Sequence, residues 1–500
     1  MKVLTAAEMR EVDRLTIEKG ISGLILMENA AHGVVQEMAR RYPPLSGRRV
    51  VVMCGKGNNG GDGLAVARLL HVRFRPRALD VVLHADPAEL RGEAAENLRM
   101  LLACGCRFSR ETSAGMRDAT LVVDALLGTG IKGPPSGAMA RAIREINSGF
   151  PMARIVSVDI PSGMPSDSGF PVGETVRADL TVTFTAMKVA QALAPNCDRM
   201  GELAVVPIGS PAELLENIRL SLVEPDDFRP LLAPRDPGGH KGDYGHVLVI
   251  GGAEGKVGAA AMAGLAALRG GAGLVTVACS ERNLSAIAPE LMTAPLPDEA
   301  SIEHLAERKT VIAIGPGLGE AAKSISLARS LMAVSPKPMV IDADGLNALA
   351  GSDWLGGSNL RVLTPHPGEM SRLTGKPVAA IESDRVEAAR GLAVERKICV
   401  VLKGRRTLIA FADGRVAVNP TGTPAMATGG AGDLLTGLIA ALLAQFPNEP
   451  ETAVQAAVYL HGLAGELGAA ALGEKSLIAT DLLKYLPAAI HASANLPDPL

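Results

Sequence analysis

Short unbroken apolar runs alternate with stretches of helical spacing along most of the chain. Two amphipathic patterns at 5–19 and 22–40 come first, the earlier one opened by Thr5 with Glu8 three residues on. That pairing predicts a capped helix. Next comes Arg49-Val-Val-Val-Met-Cys54, whose apolar run without polar alternation predicts a parallel strand buried on both faces. Runs at 80–84, 120–124, 154–159, 179–184 and 203–207 predict five more strands, with helical spacing at about 89–104 and 137–147. Strand and helix alternating in this way predict a doubly wound α/β sheet.

The pattern breaks between Gly209 and His240, where Pro211, Pro225, Pro230, Pro234 and Pro237 accumulate. Proline at that density stops both helix and sheet, so the boundary is expected near 215–230, with domains of 1–220 and 221–500. Strand-like runs resume at 246–252 and recur in GLVTVAC and at 311–319, 338–347, 359–369 and 398–404, with a helix of small residues at 258–271. A hairpin is expected at 407–419, with Asp413-Gly414 at its turn. Leu434, Leu435, Leu438, Ile439, Leu442 and Leu443 then predict a helix starting near Asp433. The buried helix AVQAAVYLHGLAGELGAAAL follows. The glycine motifs of the two halves differ, so these are two α/β domains in tandem and not repeats.

Composition adds limits. A chain of 500 residues exceeds one ordinary core, and 47% apolar content is that of a globular protein. With aromatics at 3% and 55 glycines, the cores must be built from Ala, Val, Leu and Ile, with close backbone approaches. A net charge of −3 predicts no nucleic-acid partner and no membrane surface. Cys54, Cys104, Cys106, Cys197, Cys279 and Cys399 make no CxxC pair, and Cys104-Gly-Cys106 is too tight for zinc. They are expected to be small buried residues of a reducing compartment. The N-terminus reads as a helix and not as a signal peptide, and no apolar run reaches membrane-spanning length. A cytoplasmic protein is expected.

Candidate chemistry lies at strand ends. Gly55-Lys-Gly-Asn-Asn-Gly60 fits GxGxxG after a strand, but Asp86 falls beyond the usual position of a ribose-binding acid. Asn58, Asn59 and Asp62 in the same loop exceed what a pyrophosphate cradle needs. Asp124 precedes ALLGTGIKGPP and Asp159 precedes IPSGMPSD, each at the carboxyl end of a predicted strand. Oxygens of Asn59, Asp124 and Ser162 suit a hard cation, and Asp159 suits proton abstraction. Each Asp would serve equally as a helix cap. Lys132 is either a phosphate contact or a solvated lysine. In the second half, Gly429, Gly430, Ala431 and Gly432 open a helix with no side chain larger than a methyl. Free N–H groups and the positive dipole end make an anion site there. Asp433, repelled by a bound phosphate, would be a base or else a cap.

LMENAA (26–31), CGKGNNGGDG (54–63), VVDALLGTGIKGP (122–134) and VDIPSGMPSDSG (158–169) resemble the NAD(P)H-hydrate epimerase family across the first domain. The resemblance implies a Rossmann-like fold with potassium at Asn59, Asp124 and Ser162. It implies contacts of the hydrated dinucleotide with Asn58, Asn59, Gly60, Gly61 and Asp62, with Gly128, Thr129, Gly130, Ile131, Lys132, Gly133 and Pro134, and with Asp159 as the proton-moving residue. The same fold serves as a scaffold in mRNA-decapping proteins, and intact Asn59, Asp124 and Asp159 argue against that here.

GHVLVIGGAEGKVGAA, IGPGLG, VIDADGLN, LTPHPGE, VLKG and NPTGTPAMATGGAGD resemble the ADP- or ATP-dependent NAD(P)H-hydrate dehydratases, a branch of the ribokinase-like fold. By that resemblance Lys403, Gly404, Arg405, Arg406, Thr407 and Gly432 contact the nucleotide, with the Gly429, Gly430 and Ala431 amides on its phosphate. Ala253, Gly317, His366 and Asp433 contact the hydrate. Arg405 and Arg406 either neutralise phosphate or stay solvated. Mg2+ is implied, with Glu369 as a candidate ligand. The whole then reads as a bifunctional repair enzyme for hydrated NADH and NADPH that spends ADP or ATP, expected as a homo-oligomer. The rival is a ribokinase-like small-molecule kinase with a non-catalytic Rossmann-like domain.

Overall fold

The computed structural model describes residues 1–131, 133–280, 288–354 and 359–495. Lys132 lies outside the described residues. The chain forms two compact units, Met1–Ile218 and Arg219–Leu500.

The first unit is built on a six-stranded parallel sheet in the order Ala78–Leu83, Arg49–Cys54, Leu121–Ala125, Arg154–Val158, Leu180–Phe184, Glu202–Val206. The chain steps one way from Arg49–Cys54, then crosses back to lay every later strand on the other side. Successive residues of Arg49–Cys54 enter different cores. Val50, Val52 and Cys54 join one cluster and Val51 and Met53 the other. Opposite facing of neighbours in a strand covered on both sides explains the unbroken apolar run. Helix Ala6–Glu18 is capped by Thr5, whose Oγ1 accepts from Glu8 N at 3.2 Å, while Thr5 N donates to Glu8 Oε2 at 2.8 Å. Just before it, Val3–Leu4 pairs in parallel with Met187–Lys188.

The second unit holds a ten-stranded sheet in the order Met292–Pro295, Leu274–Cys279, His246–Ile250, Val311–Ile314, Met339–Ile341, Arg361–Leu363, Cys399–Leu402, Leu408–Ala410, Val416–Val418, Leu220–Leu222. Only Leu408–Ala410 runs antiparallel to its neighbours among these strands. The last strand departs from the expectation that the proline-rich stretch excludes sheet. Leu220–Leu222 precedes Pro225, keeps its N–H groups, and pairs with the hairpin edge. Helix Ala431–Gln445, almost wholly buried, packs along helix Val257–Arg269. Contact is backbone to backbone, since a Cβ at Gly437 would fall 1.9 Å from Ala263 O.

The six cysteines are free. Five are buried as expected, but Cys104 is exposed, because it ends helix Gly92–Ala103 where the chain turns in solvent. No helix among the described residues is long and apolar enough to cross a membrane.

Candidate active sites

In open parallel sheets the crevice for a ligand lies beyond the carboxyl ends of the strands, where the strand order reverses. In the first unit that point lies between Arg49–Cys54 and Leu121–Ala125, and the loops following both strands meet there. A Cβ on Gly55 would fall 1.9 Å from Leu126 O, and one on Gly60 1.9 Å from Gly55 O, so only glycine permits the approach. A cavity of about 920 Å³ opens above, lined by Asn58, Asn59, Asp62, Gly128–Ile131 and Asp159. Gly60 and Gly61 lie buried beneath the loop. Gly133 and Pro134 are not among the lining residues, and Pro134 packs against Gly173.

Under the loops, oxygens converge. Asp124 is fully buried, and burial raises its pKa. Its Oδ1 accepts from Ser162 Oγ at 2.5 Å and its Oδ2 from Ser162 N and Ser157 Oγ, each at 2.8 Å. Leu127 O accepts from Asn59 Nδ2 at 3.1 Å and Ser162 Oγ at 3.2 Å. Asn59 Oδ1 is buried with no hydrogen-bond partner among the described residues. An orphaned oxygen beside a buried carboxylate whose donors are hydroxyls and amides fits a hard, weakly charged cation.

Asp159 ends strand Arg154–Val158 in the left-handed region, with φ of 62°. For a residue with a Cβ this conformation costs about 1–3 kcal/mol and is kept only where the surroundings impose it. They do so here. Asp159 N donates to Val182 O at 2.8 Å, and Gln191 Nε2 donates to Asp159 O at 2.7 Å. Asp159 Oδ1 accepts from Lys188 Nζ at 2.5 Å and Thr183 Oγ1 at 2.9 Å. Lys188, only 1% exposed, also donates to Phe184 O at 3.1 Å. Asp13 enters the same cavity from helix Ala6–Glu18, its pKa raised to about 6 chiefly by burial. Asp62 is raised well above the carboxylate range by burial, then by Asp159 and Asp13. Sequence reasoning missed Asp13 and Lys188, although each carried a signal. Asp13 shares the apolar face of its helix with Met9, Val12 and Thr16, and Lys188 interrupts an apolar run. A charge at a core position is a defect unless it has a function.

In the second unit the strand order reverses between His246–Ile250 and Val311–Ile314. The loops there join Ala253 to Gly317 through Ala253 N donating to Gly317 O at 2.7 Å. Gly317 has φ of 61°. Asp344 Oδ2, at the end of the next strand, accepts from Gly319 N at 2.8 Å and pairs with Lys256 at 3.2 Å. Asp342 is buried, its Oδ1 accepting from Lys403 Nζ at 2.7 Å and its Oδ2 from Thr436 Oγ1 at 2.8 Å. A Cβ on Gly432 would fall 3.4 Å from Lys403 Nζ, so that ammonium lies against the first turn of helix Ala431–Gln445. Gly430 starts the helix with φ of 99°, and no side chain caps it. Ala431 N donates to Thr428 O at 3.4 Å, and the N–H groups of the next residues in the turn are left for a ligand. Ala431 O accepts from His461 Nε2 at 2.9 Å, and burial holds that imidazole neutral by pushing its pKa down to about 4. Asp433 in the first turn is raised to about 6 by burial and by the carboxylates of Asp342, Asp344 and Glu369, against the opposing effect of Lys403.

The 403–407 loop is held from behind by Arg385, which donates to Arg405 O at 2.6 Å and Leu402 O at 3.3 Å. Arg406 takes φ of 57°, and Thr407 Oγ1 donates to Gly404 O at 2.9 Å. His366 caps helix Pro367–Thr374, its Nδ1 accepting from Gly368 N at 3.0 Å and Glu369 N at 3.3 Å. Glu369 Oε2 is taken by His366 N at 2.8 Å and lies 3.7 Å from Lys403. Glu369 and Asp342 are thus engaged inside the protein, and no cluster of three metal-ligating side chains occurs among the described residues. Mg2+ takes one or two protein carboxylates beside phosphate oxygens and water, so a cluster of three is not required of this site. Asp342, Thr436, Arg385 and His461 were not singled out from sequence.

Carboxylates of raised pKa beside a glycine loop, at the reversal point of each of the two sheets, define a two-site α/β enzyme. Residues 247–488 match the family model described as NAD(P)H-hydrate dehydratase, and residues 23–190 the one described as YjeF-related protein N-terminus. The bifunctional NAD(P)H-hydrate repair enzyme of Moorella thermoacetica is 41% identical over 97% of this chain and 96% of its own. That of Thermofilum pendens is 39% identical over 98% and 97%. The ADP/ATP-dependent NAD(P)H-hydrate dehydratase of Bacillus subtilis, co-crystallized with ATP/Mg2+, superposes on 55% of this chain and 98% of its own, with TM-score 0.50 and 36% identity. The chain belongs to the bifunctional NAD(P)H-hydrate repair enzymes, an epimerase domain followed by a ribokinase-like dehydratase domain.

Proposed function

We propose that Asp433 is the base of the dehydratase site and that the Gly429–Gly432 amides hold the transferred phosphoryl group. The carrying observation is that carboxyl's raised pKa at an uncapped helix start. Ionised above about pH 6, Asp433 takes the proton of the ring hydroxyl. The oxygen attacks the terminal phosphorus of ADP or ATP, and the P–O bond to the nucleotide breaks, releasing AMP or ADP. Amides and the helix dipole stabilise the equatorial oxygens. The carbon–oxygen bond then breaks, phosphate leaves with the electron pair, and loss of a proton from the adjacent ring carbon restores the double bond. Lys403, Gly404, Arg405, Arg406 and Thr407 form the nucleotide contact, and Ala253, Gly317 and His366 the hydrate contact. Mg2+ arrives as the counter-ion of the nucleotide phosphates, and no step is assigned to it.

In the epimerase site, Asp159 moves the proton at the hydrated ring carbon. Asn58–Asp62 and Gly128–Pro134 embrace the dinucleotide. Asn59, Asp124 and Ser162 hold K+, which supplies a fixed positive charge beneath the loops. Free cysteines agree with action in a reducing cytoplasm.

Mixed hydrate epimers are incubated with ADP or ATP while nicotinamide absorbance and free phosphate are followed. Both should rise together. Asp433→Asn should abolish the rise but leave epimerisation intact. A stable phosphorylated product without recovered absorbance would establish the kinase instead.

A further inference from the structure

We infer that Asp13 is a second catalytic residue of the epimerase site, the acid that works with Asp159 as base. Inversion of one carbon needs a proton delivered on the face where the hydroxyl departs and removed on the face where water arrives. A single carboxylate cannot stand on both. Asp159 projects from a strand end and Asp13 from helix Ala6–Glu18, and both line the one cavity. Asp13 Oδ1 is buried and makes no hydrogen bond among the described residues. A carboxyl turned inward from an amphipathic helix without a partner is a costly arrangement unless a ligand supplies one.

Charge decides which group holds the proton. Asp13, Asp62 and Asp159 share one buried cation, Lys188. Lys188 bonds directly to Asp159 at 2.5 Å, so the buried cation sits on that carboxylate. Asp13 feels Lys188 only at a distance and is pushed to about 6, with burial the largest cause. The carboxyl that holds the cation suits the base, and the one whose buried oxygen has no partner among the described residues suits the acid. Arg10 on the same helix, and Lys56, His84, Asp86, Glu89 and Glu93 from other elements, complete the charged lining.

The step balances. Asp13 gives its proton to the ring hydroxyl, and the carbon–oxygen bond breaks with its electron pair leaving on water. The ring nitrogen's lone pair forms a C=N bond, and the carbon becomes planar. Water adds to the opposite face while Asp159 takes its proton. Asp13 ends ionised and Asp159 protonated, and proton exchange with solvent in the open cavity resets both before the next turnover.

The inference rests on Asp159 as the proton-moving residue, and the test separates the two. Interconversion of purified epimers is followed by chromatography with the full chain and no nucleotide, which keeps the dehydratase silent. Asp13→Asn should lower kcat by about 100-fold or more, with KM changed less than about 3-fold. Wild-type kcat/KM should fall on the alkaline side of a limb near pH 6, and Asp13→Asn should lose that limb. Asp13→Glu should restore part of the rate. Thermal unfolding of Asp13→Asn should match or exceed wild type, since a desolvated carboxyl is removed. Full activity and an unchanged pH profile in Asp13→Asn, with Asp159→Asn inactive, would overturn the role of Asp13 alone. Full activity in both variants would overturn the reading of Asp159 as well.

Discussion

Lys403 Nζ stands 2.7 Å from Asp342 Oδ1, beneath the helix turn that carries Asp433. Thr436 Oγ1, one turn into the same helix, holds the other Asp342 oxygen at 2.8 Å. The strand end, the nucleotide loop and the anion-binding helix are thus tied at one carboxylate. Removing Asp342 strips a largely buried ammonium of its closest partner, with Glu369 left at 3.7 Å, and should cost about 1–3 kcal/mol. Asp342→Ala should therefore lower the urea midpoint of the second unit markedly. A loss of activity at unchanged stability would mean the pair serves catalysis alone.

Asp433 should make the protein less stable where it is most active. Its folded-state pKa of about 6 lies above its ordinary 3.8, so the folded state holds that proton more tightly and ionisation opposes the fold. The penalty is absent below about pH 3.8 and complete above about pH 6. Asp433→Asn should be more stable than wild type at pH 7.5 by about 1–2 kcal/mol. The gap should close as denaturation is repeated toward pH 4.

Potassium should stabilise the first unit. An ion present at about 100 times its Kd adds about 2.7 kcal/mol, or several degrees in Tm. Replacing K+ by choline at constant ionic strength should lower the wild-type transition. Asp124→Asn should erase that dependence, and an equal Tm in both salts for wild type would remove the ion from the site.

Glycines in the two helical regions should answer differently to alanine. Gly437→Ala drives a methyl to 1.9 Å from Ala263 O, a backbone atom in helix Val257–Arg269, and should cost several kcal/mol. Gly429→Ala meets nothing within 4 Å and should leave the unfolding midpoint unchanged. Its effect, measured by nucleotide titration, should fall on phosphate affinity.

Much of the molecule was legible before folding. Unbroken apolar runs mark parallel strands because such strands are covered on both faces, and Val50 to Cys54 show it by feeding two cores. Glycine loops mark ligand-facing turns because a Cβ at Gly55 or Gly60 would collide with backbone. Asp433 was placed at a helix start by the leucine spacing that follows it. These properties are local, fixed by period and by side-chain size.

Only the tertiary structure decided which charges meet. Lys403 and Asp342 lie 61 positions apart, and Thr436 lies 94 beyond Asp342. Asp13 lines the cavity of Asp159 from a helix that follows Val3–Leu4, the strand paired with Met187–Lys188 far along the chain. Leu220–Leu222 becomes a strand only because the hairpin edge offers it a partner. A side chain's pKa and partners depend on what is folded against it, and no local spacing encodes that. The sequence by itself determined two α/β domains and the loops that face their ligands; folding decided which carboxyls share a lysine and which of them keep a proton.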